Sequence, residues 1–115
     1  MPKTEIITPI VSERFVLTRA GGVPQALVAQ LGAPYVVDEI ESRCPAKIQG
    51  LDPQYPDIAG ANRLQALALA LKLLYARLEH AIERGDELTL EGEDDSLDVG
   101  RLRVLFGMSD LPPKE

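Results

Sequence analysis

Tryptophan is absent from this chain of 115 residues, cysteine and histidine each occur once, and aromatics make up only 4%. Each scarcity removes something. A single cysteine, Cys44, cannot form an internal disulfide, and a lone thiol fits a reducing compartment. A single histidine, His80, leaves little from which to build a Ser-His-Asp or Cys-His arrangement. One Cys and one His cannot complete a zinc site without carboxylates. With so few aromatics, the core must be built from Leu, Val, Ile and Ala. No apolar run reaches the roughly 18 residues of a membrane span, because Lys72 interrupts the longest one. The opening Met-Pro-Lys-Thr-Glu-Ile-Ile-Thr-Pro lacks the apolar region of a signal peptide. These absences predict a cytoplasmic protein with no catalytic residue, no metal, no cofactor and no membrane partner.

What is present is the composition of an ordinary folded chain, 45% hydrophobic and 26% charged. The length fits one domain over 1–115, with 1–5 and 108–115 expected to fray. The net charge of -6 is unevenly placed. Asp86, Glu87, Glu91, Glu93, Asp94, Asp95 and Asp98 follow one another without a Lys or Arg, and the rest of the chain sums to +1. Nucleic acid is therefore not an expected partner, since phosphate binding needs a basic stripe. A basic protein surface would suit the strip; so would the plainer role of a solvated loop. The strip lacks the ligand spacing, central Gly and terminal Glu of an EF-hand loop. Gly21-Gly22 is not followed by the Lys-Ser/Thr and helix of a phosphate-binding loop.

Glu13 to Arg19 alternates as a strand, with Glu13, Phe15 and Leu17 on one face. The preceding Ile6 to Val11 is broken by Pro9 and reads as an edge strand or extended arm. Ala20-Gly21-Gly22-Val23-Pro24 is a turn, and Gln25 to Leu31 alternates again, which predicts a hairpin. Tyr35 to Glu41 reads as a third strand, and Arg43 to Gln49 continues it or starts another. Gly50 to Ala61 carries two prolines and two glycines and reads as a loop, with Leu51, Tyr55 and Ile58 folding inward. Leu88 to Leu90 forms a short strand, Gly92 to Ser96 an acidic turn, and Arg101 to Phe106 a final strand.

The dominant element is a helix from about Asn62 to Arg84. Asn62 and Gln65 have capping-box spacing, and Gly85 follows the last turn. Leu64, Leu67, Leu71, Leu74, Tyr75, Leu78 and Ile82 share a stripe that should pack on the sheet. Leu69 and Leu73 point nearly the opposite way and form an apolar excess. His80 falls on the outward side, and Cys44 reads as a small core hydrophobe. The expected fold is α+β: a mainly antiparallel sheet of four to six strands with one long helix across one face.

The run Arg43-Cys44-Pro45-Ala46-Lys47-Ile48-Gln49-Gly50, followed by Gln65-Ala66-Leu67-Ala68-Leu69-Ala70-Leu71, resembles a family of small bacterial domains of unknown function. Its pattern is a Cys-Pro-x-x-Ile-x-Gly strand and then a capped Gln-Ala-Leu-x-x-Ala-Leu helix. The Ser12-Glu13-Arg14 strand start also fits. The resemblance implies a sheet crossed by one helix and no established activity, so Cys44 and Gln65 acquire no catalytic role from it.

Together these features predict a small acidic binding protein without catalysis. Its most concrete form is an antitoxin or immunity-type protein that occludes a basic, toxin-like partner through Glu91, Glu93, Asp94, Asp95 and Asp98. The alternative is a homo-oligomer, such as a homodimer, packing Leu69 and Leu73 against their copies. A small enzyme using Cys44 or the carboxylates is the least favoured reading.

Overall fold

In the computed structural model, which describes residues 2–108, the alternating segments pair as two sheets rather than one. Strands β1 (Val11–Thr18) and β2 (Gln25–Leu31) form the expected hairpin, in a register running from Val11 opposite Leu31 to Leu17 opposite Gln25. Strands β3 (Tyr35–Val36), β4 (Ser42–Cys44), β5 (Ala46–Gln49) and β6 (Ile58–Gly60) precede helix α1 (Arg63–Glu83). Strand β7 (Glu87–Leu90) and helix α2 (Val99–Leu105) follow it. The larger sheet is antiparallel in the order β5-β2-β1-β7, and the smaller is β3-β4-β6. Pro45 separates β4 from β5, so one run of sequence serves both sheets.

Period-two alternation puts Phe15, Leu17, Leu27, Ala29, Leu31, Ile48 and Leu88 on one face of the larger sheet, where all are buried. Helix α1 covers that face and also touches β4 and β6. Its start is capped as the sequence predicts: Gln65 N donates to Asn62 Oδ1 at 2.8 Å, and Ala61 N donates to Gln65 Oε1 at 2.6 Å. Past its end, Gly85 takes φ +100°, the left-handed conformation that closes a helix.

The buried helix face keeps most of the predicted leucine stripe and adds alanines to it. Leu74, Tyr75 and Leu78 are buried and Leu67, Leu71 and Ile82 pack half-buried against the core, but Leu64 is 75% exposed, and Ala66, Ala70 and Ala81 are buried as well. At Ala66 the reason is the second sheet. Strand β6 crosses the first turn of α1 so closely that a Cβ on Gly60 would lie 2.5 Å from the Ala66 backbone nitrogen. Only small side chains allow that approach, so alanine takes the contact line.

Three further expectations are corrected. Arg101 to Phe106 is not a strand: Asp98 Oδ1 accepts from Arg101 N at 2.7 Å and starts α2, and Gly107, at φ +69°, follows it. A short apolar run fits both periods, and here the cap decides. Tyr35 to Glu41 pairs only over Tyr35–Val36, because a tight turn at Asp38, whose Oδ1 accepts from Ile40 N, folds the chain back onto β4. The Gly50–Ala61 loop is not wholly irregular, since Ile58–Gly60 pairs with β4. The expectation that residues 1–5 fray meets Thr4 hydrogen-bonded to Asp57. The predicted tail lies, apart from Met108, outside the described residues.

Adding one methyl at the crossing should break it. Gly60→Ala is expected to lower urea stability by about 2 kcal/mol, the usual scale for overpacking a fitted contact. Gly100→Ala, where the new Cβ meets nothing closer than 3.4 Å, should instead stabilise α2 by up to about 1 kcal/mol.

Candidate partner-binding site

Outside the acidic strip, Cys44, Asp52 and Asp57 are committed to holding the fold. Cys44 is fully buried, with its Sγ 3.4 Å from the Gly32 carbonyl oxygen. Burial, helped by the negative charge of Asp57, pushes its thiol up to about 11. Such a thiol is not ionised near neutrality and is a poor nucleophile. Asp57 is itself buried, and its carboxylate accepts from Thr4 N at 2.9 Å, Thr4 Oγ1 at 2.5 Å and Tyr35 OH at 2.6 Å. Its backbone N–H donates to the Pro2 carbonyl at 2.8 Å. These bonds compensate the burial of a charge and tie the N-terminal arm to β6.

A second polar cluster fastens the long loop to α1. Arg77 grips Asp52 with both prongs, Nε to Oδ2 at 2.7 Å and Nη2 to Oδ1 at 3.1 Å, and Tyr55 OH donates to the same carboxylate at 2.6 Å. The Arg77 guanidinium holds Asp52 below the ordinary carboxylate value. Leu51, Tyr55 and Ile58 pack against the core beside this clamp, as the inward-folding loop predicts. Leu73, one turn before Arg77 on α1, is half-buried, while Leu69 is 39% exposed. The second apolar face therefore shrinks toward Leu69.

The acidic strip divides by role. Asp86 pairs with Arg84, 2.6 Å away, and its side chain is only 8% exposed. Asp98 is the N-cap of α2. Glu87 lies in β7 opposite Thr18. That leaves Glu91, Glu93, Asp94 and Asp95 projecting from a turn, all exposed and none paired with a cation among the described residues. Gly92, at φ +86°, makes the turn possible, and Glu93 N donates to the Leu90 carbonyl at 3.0 Å.

This turn stands at the edge of a cleft that the sequence did not reveal. Strand β7 pairs with β1 from Phe15 to Thr18, and the last backbone bond on that side runs from Glu91 N to the Arg14 carbonyl at 3.1 Å, so Val11 to Glu13 have no strand neighbour there among the described residues. Helix α2 crosses the gap, held by Leu102 in the core and by Phe106, whose ring meets Tyr75 edge-on at 5.5 Å. Between them is a cavity of about 420 Å³ lined by Val11, Glu13, Phe15, Ala29, Leu31, Leu71, Leu74, Leu90, Leu105 and Phe106. That is within the usual size of a binding cleft. Glu13 is its only ionisable lining group among the described residues, and it also lines the adjoining hollow with Ser12, Arg14, Glu91 and Glu93. The available signal for this site was Glu13 itself, a carboxylate sharing the inner face of β1 with Phe15 and Leu17.

Among the described residues, no group of His, Cys, Asp or Glu side chains could hold a metal ion, and no helix is long and apolar enough to cross a membrane. Comparison with protein-family models, curated proteins and solved structures finds no match to this chain.

Two measurements check the side-chain assignments. A depressed Asp52 pKa stabilises the fold above the ordinary carboxylate value of 3.8, and that stabilisation is lost as pH falls through the lowered value. Both partners are mostly shielded, with side chains 20% and 32% exposed, so Arg77→Ala should cost about 1–2 kcal/mol near neutral pH. The gap from wild type should narrow in urea titrations as pH falls below 3.8 and the carboxylate protonates. Cys44 should resist a disulfide-exchange reagent at pH ~8 in the native state and react at the rate of opening, becoming fully labelled in denaturant.

Proposed function

We propose that this chain is a non-catalytic, cytoplasmic binding protein whose acidic turn covers a basic surface on a protein partner, in the manner of an antitoxin or immunity protein. The observation that carries this reading is a set of four exposed carboxylates, Glu91, Glu93, Asp94 and Asp95, with no cation partner among the described residues, after Asp86 and Asp98 have been taken up by structural roles. Clustered exposed charges of one sign raise the local negative potential and speed encounter with a positive surface. The buried, protonated Cys44 and the committed Asp52 and Asp57 support a role without catalysis. The reading places Glu91, Glu93, Asp94 and Asp95 at the partner surface and gives Asp98 a supporting role, since its carboxylate holds the start of α2. A homo-oligomer built on Leu69 and Leu73 has less apolar surface to use, because Leu73 is half covered.

The test is capture of a partner from the native host by the wild type and by a Glu93→Ser, Asp94→Ser, Asp95→Ser variant. Wild type should retain a basic protein at about 50 mM salt and lose most of it at about 300 mM, because screening shortens the reach of exposed charges. The triple variant should retain at least ~10-fold less at low salt, with unchanged stability. Equal capture by both proteins would remove the electrostatic mechanism. Light scattering that showed a stable dimer would favour the oligomeric reading.

A further inference from the structure

We propose that the cleft beside the acidic turn is a docking site for a cationic amphipathic segment of a protein partner, with an apolar side chain seated in the cleft and a lysine or arginine beside it meeting Glu13. The proposal rests on the acidic-turn reading and gives it a binding pocket.

The occupant follows from the chemistry of walls and rim. The walls are apolar and come from five elements: Phe15 of β1, Leu31 of β2, Leu71 of α1, Leu90 of β7 and Leu105 of α2. The apolar surface continues outward, since Leu105 is 46% exposed and Val11 45% exposed at the lining of the same cavity. On its other side, Leu90 and Leu105 also line a hollow of about 470 Å³ with Val104, which is 58% exposed. Contiguous apolar surface of this kind marks an interaction site more often than scattered single residues do.

The rim is negative. Glu13, Glu91 and Glu93 stand together at the adjoining hollow, where the only cation among the described residues is Arg14. Neither Glu13 nor Arg14 has an ion-pair partner among the described residues. A purely apolar ligand would leave Glu13 desolvated and unpaired, which is costly. A fatty acid or other anionic amphiphile would set like charges together. A cationic amphipathic segment satisfies both walls and rim, and burying such a face in a groove is a recurring mode of peptide recognition.

The probe is a synthetic peptide of leucine and lysine at helical spacing, titrated into the full chain by calorimetry and methyl NMR. One control peptide replaces every leucine by alanine with the charge unchanged, and decanoate serves as the anionic amphiphile. The leucine–lysine peptide should bind and shift the methyl signals of Leu71, Leu90 and Leu105. Val11→Trp, which fills the mouth from an already exposed position, should weaken it about 10-fold or more. Leu105→Asn should do the same from the opposite wall. Glu13→Gln should weaken binding about 3-fold to 10-fold and reduce its salt dependence. The alanine peptide and decanoate should bind at least ~10-fold more weakly than the leucine–lysine peptide.

Failure to bind the leucine–lysine peptide would overturn the proposal, as would equal binding of the alanine peptide or of decanoate. Indifference to both Val11→Trp and Leu105→Asn, with binding lost on Glu93→Ser, Asp94→Ser, Asp95→Ser, would overturn the cleft and leave the acidic-turn reading standing. Loss with Val11→Trp but none with Glu13→Gln or the turn variant would overturn the cationic assignment and the acidic-turn reading together.

Discussion

The close passage of β6 over the start of α1 is the constraint from which the rest of the architecture follows. A helix that lies on two sheets at once cannot present leucines to both at full length. Here the first turn gives way: Ala66 faces the crossing, and Gly60 supplies the other half of the gap. Further along the helix the larger Leu74, Tyr75 and Leu78 are buried in the core. The crossing also fixes what precedes it. With β6 in place, Asp57 sits where Thr4 and Tyr35 can satisfy it, and the loop before it reaches Arg77 with Asp52. Polar clusters at these positions do not drive burial. They make burial of the chain's irregular parts affordable by leaving no buried side-chain donor or acceptor unpaired among the described residues.

What could be read from the sequence was local. The β1–β2 hairpin, the helix with both its ends, and β7 depend on turn residues, caps and periods lying within the segments themselves. The α+β class followed from them. What could not be read depends on residues far apart in the chain. Ile58–Gly60 sits among prolines and glycines, and nothing in its own composition announces a strand; it becomes one because β4 offers it partners. The division into two sheets likewise depends on Pro45 falling between runs whose pairings lie in different places. The alanines on the buried face of the helix are of the same kind, since the need for a small residue at Ala66 comes from Gly60 of β6 and not from the helix's own pattern. Arg101 to Phe106 was misread for a different reason. Leu102 and Phe106 fit both a strand and a helix, and the deciding signal was Asp98, whose charge drew attention away from its capping geometry.

The candidate site was legible in part for a related reason. The acidic strip is conspicuous in the sequence, but its seven carboxylates look equivalent there. Folding separates them into a helix cap, an ion pair, a strand residue and a free group of four. The cleft was hidden because its walls come from five elements brought together only by the tertiary fold. Glu13 carried the one trace of it. A carboxylate in phase with Phe15 and Leu17 points toward the core side of the sheet, where a charge needs either a partner or an opening to water.

The turn and the cleft also have one origin. Gly92 ends β7 by reversing the chain after Glu91, and that reversal both projects the carboxylates and leaves β1 without a strand neighbour beyond Arg14 among the described residues. Their contributions to binding should nonetheless differ. An exposed ion pair is worth at most about 1 kcal/mol and fades with salt, whereas seating one leucine side chain contributes about 1.5–3 kcal/mol. The turn is thus suited to selecting the sign of the partner and hastening its arrival, and the cleft to setting how long it stays. A partner matched to the charge alone would exchange rapidly. One matched to both would be held at the corner where the sheet is a strand short.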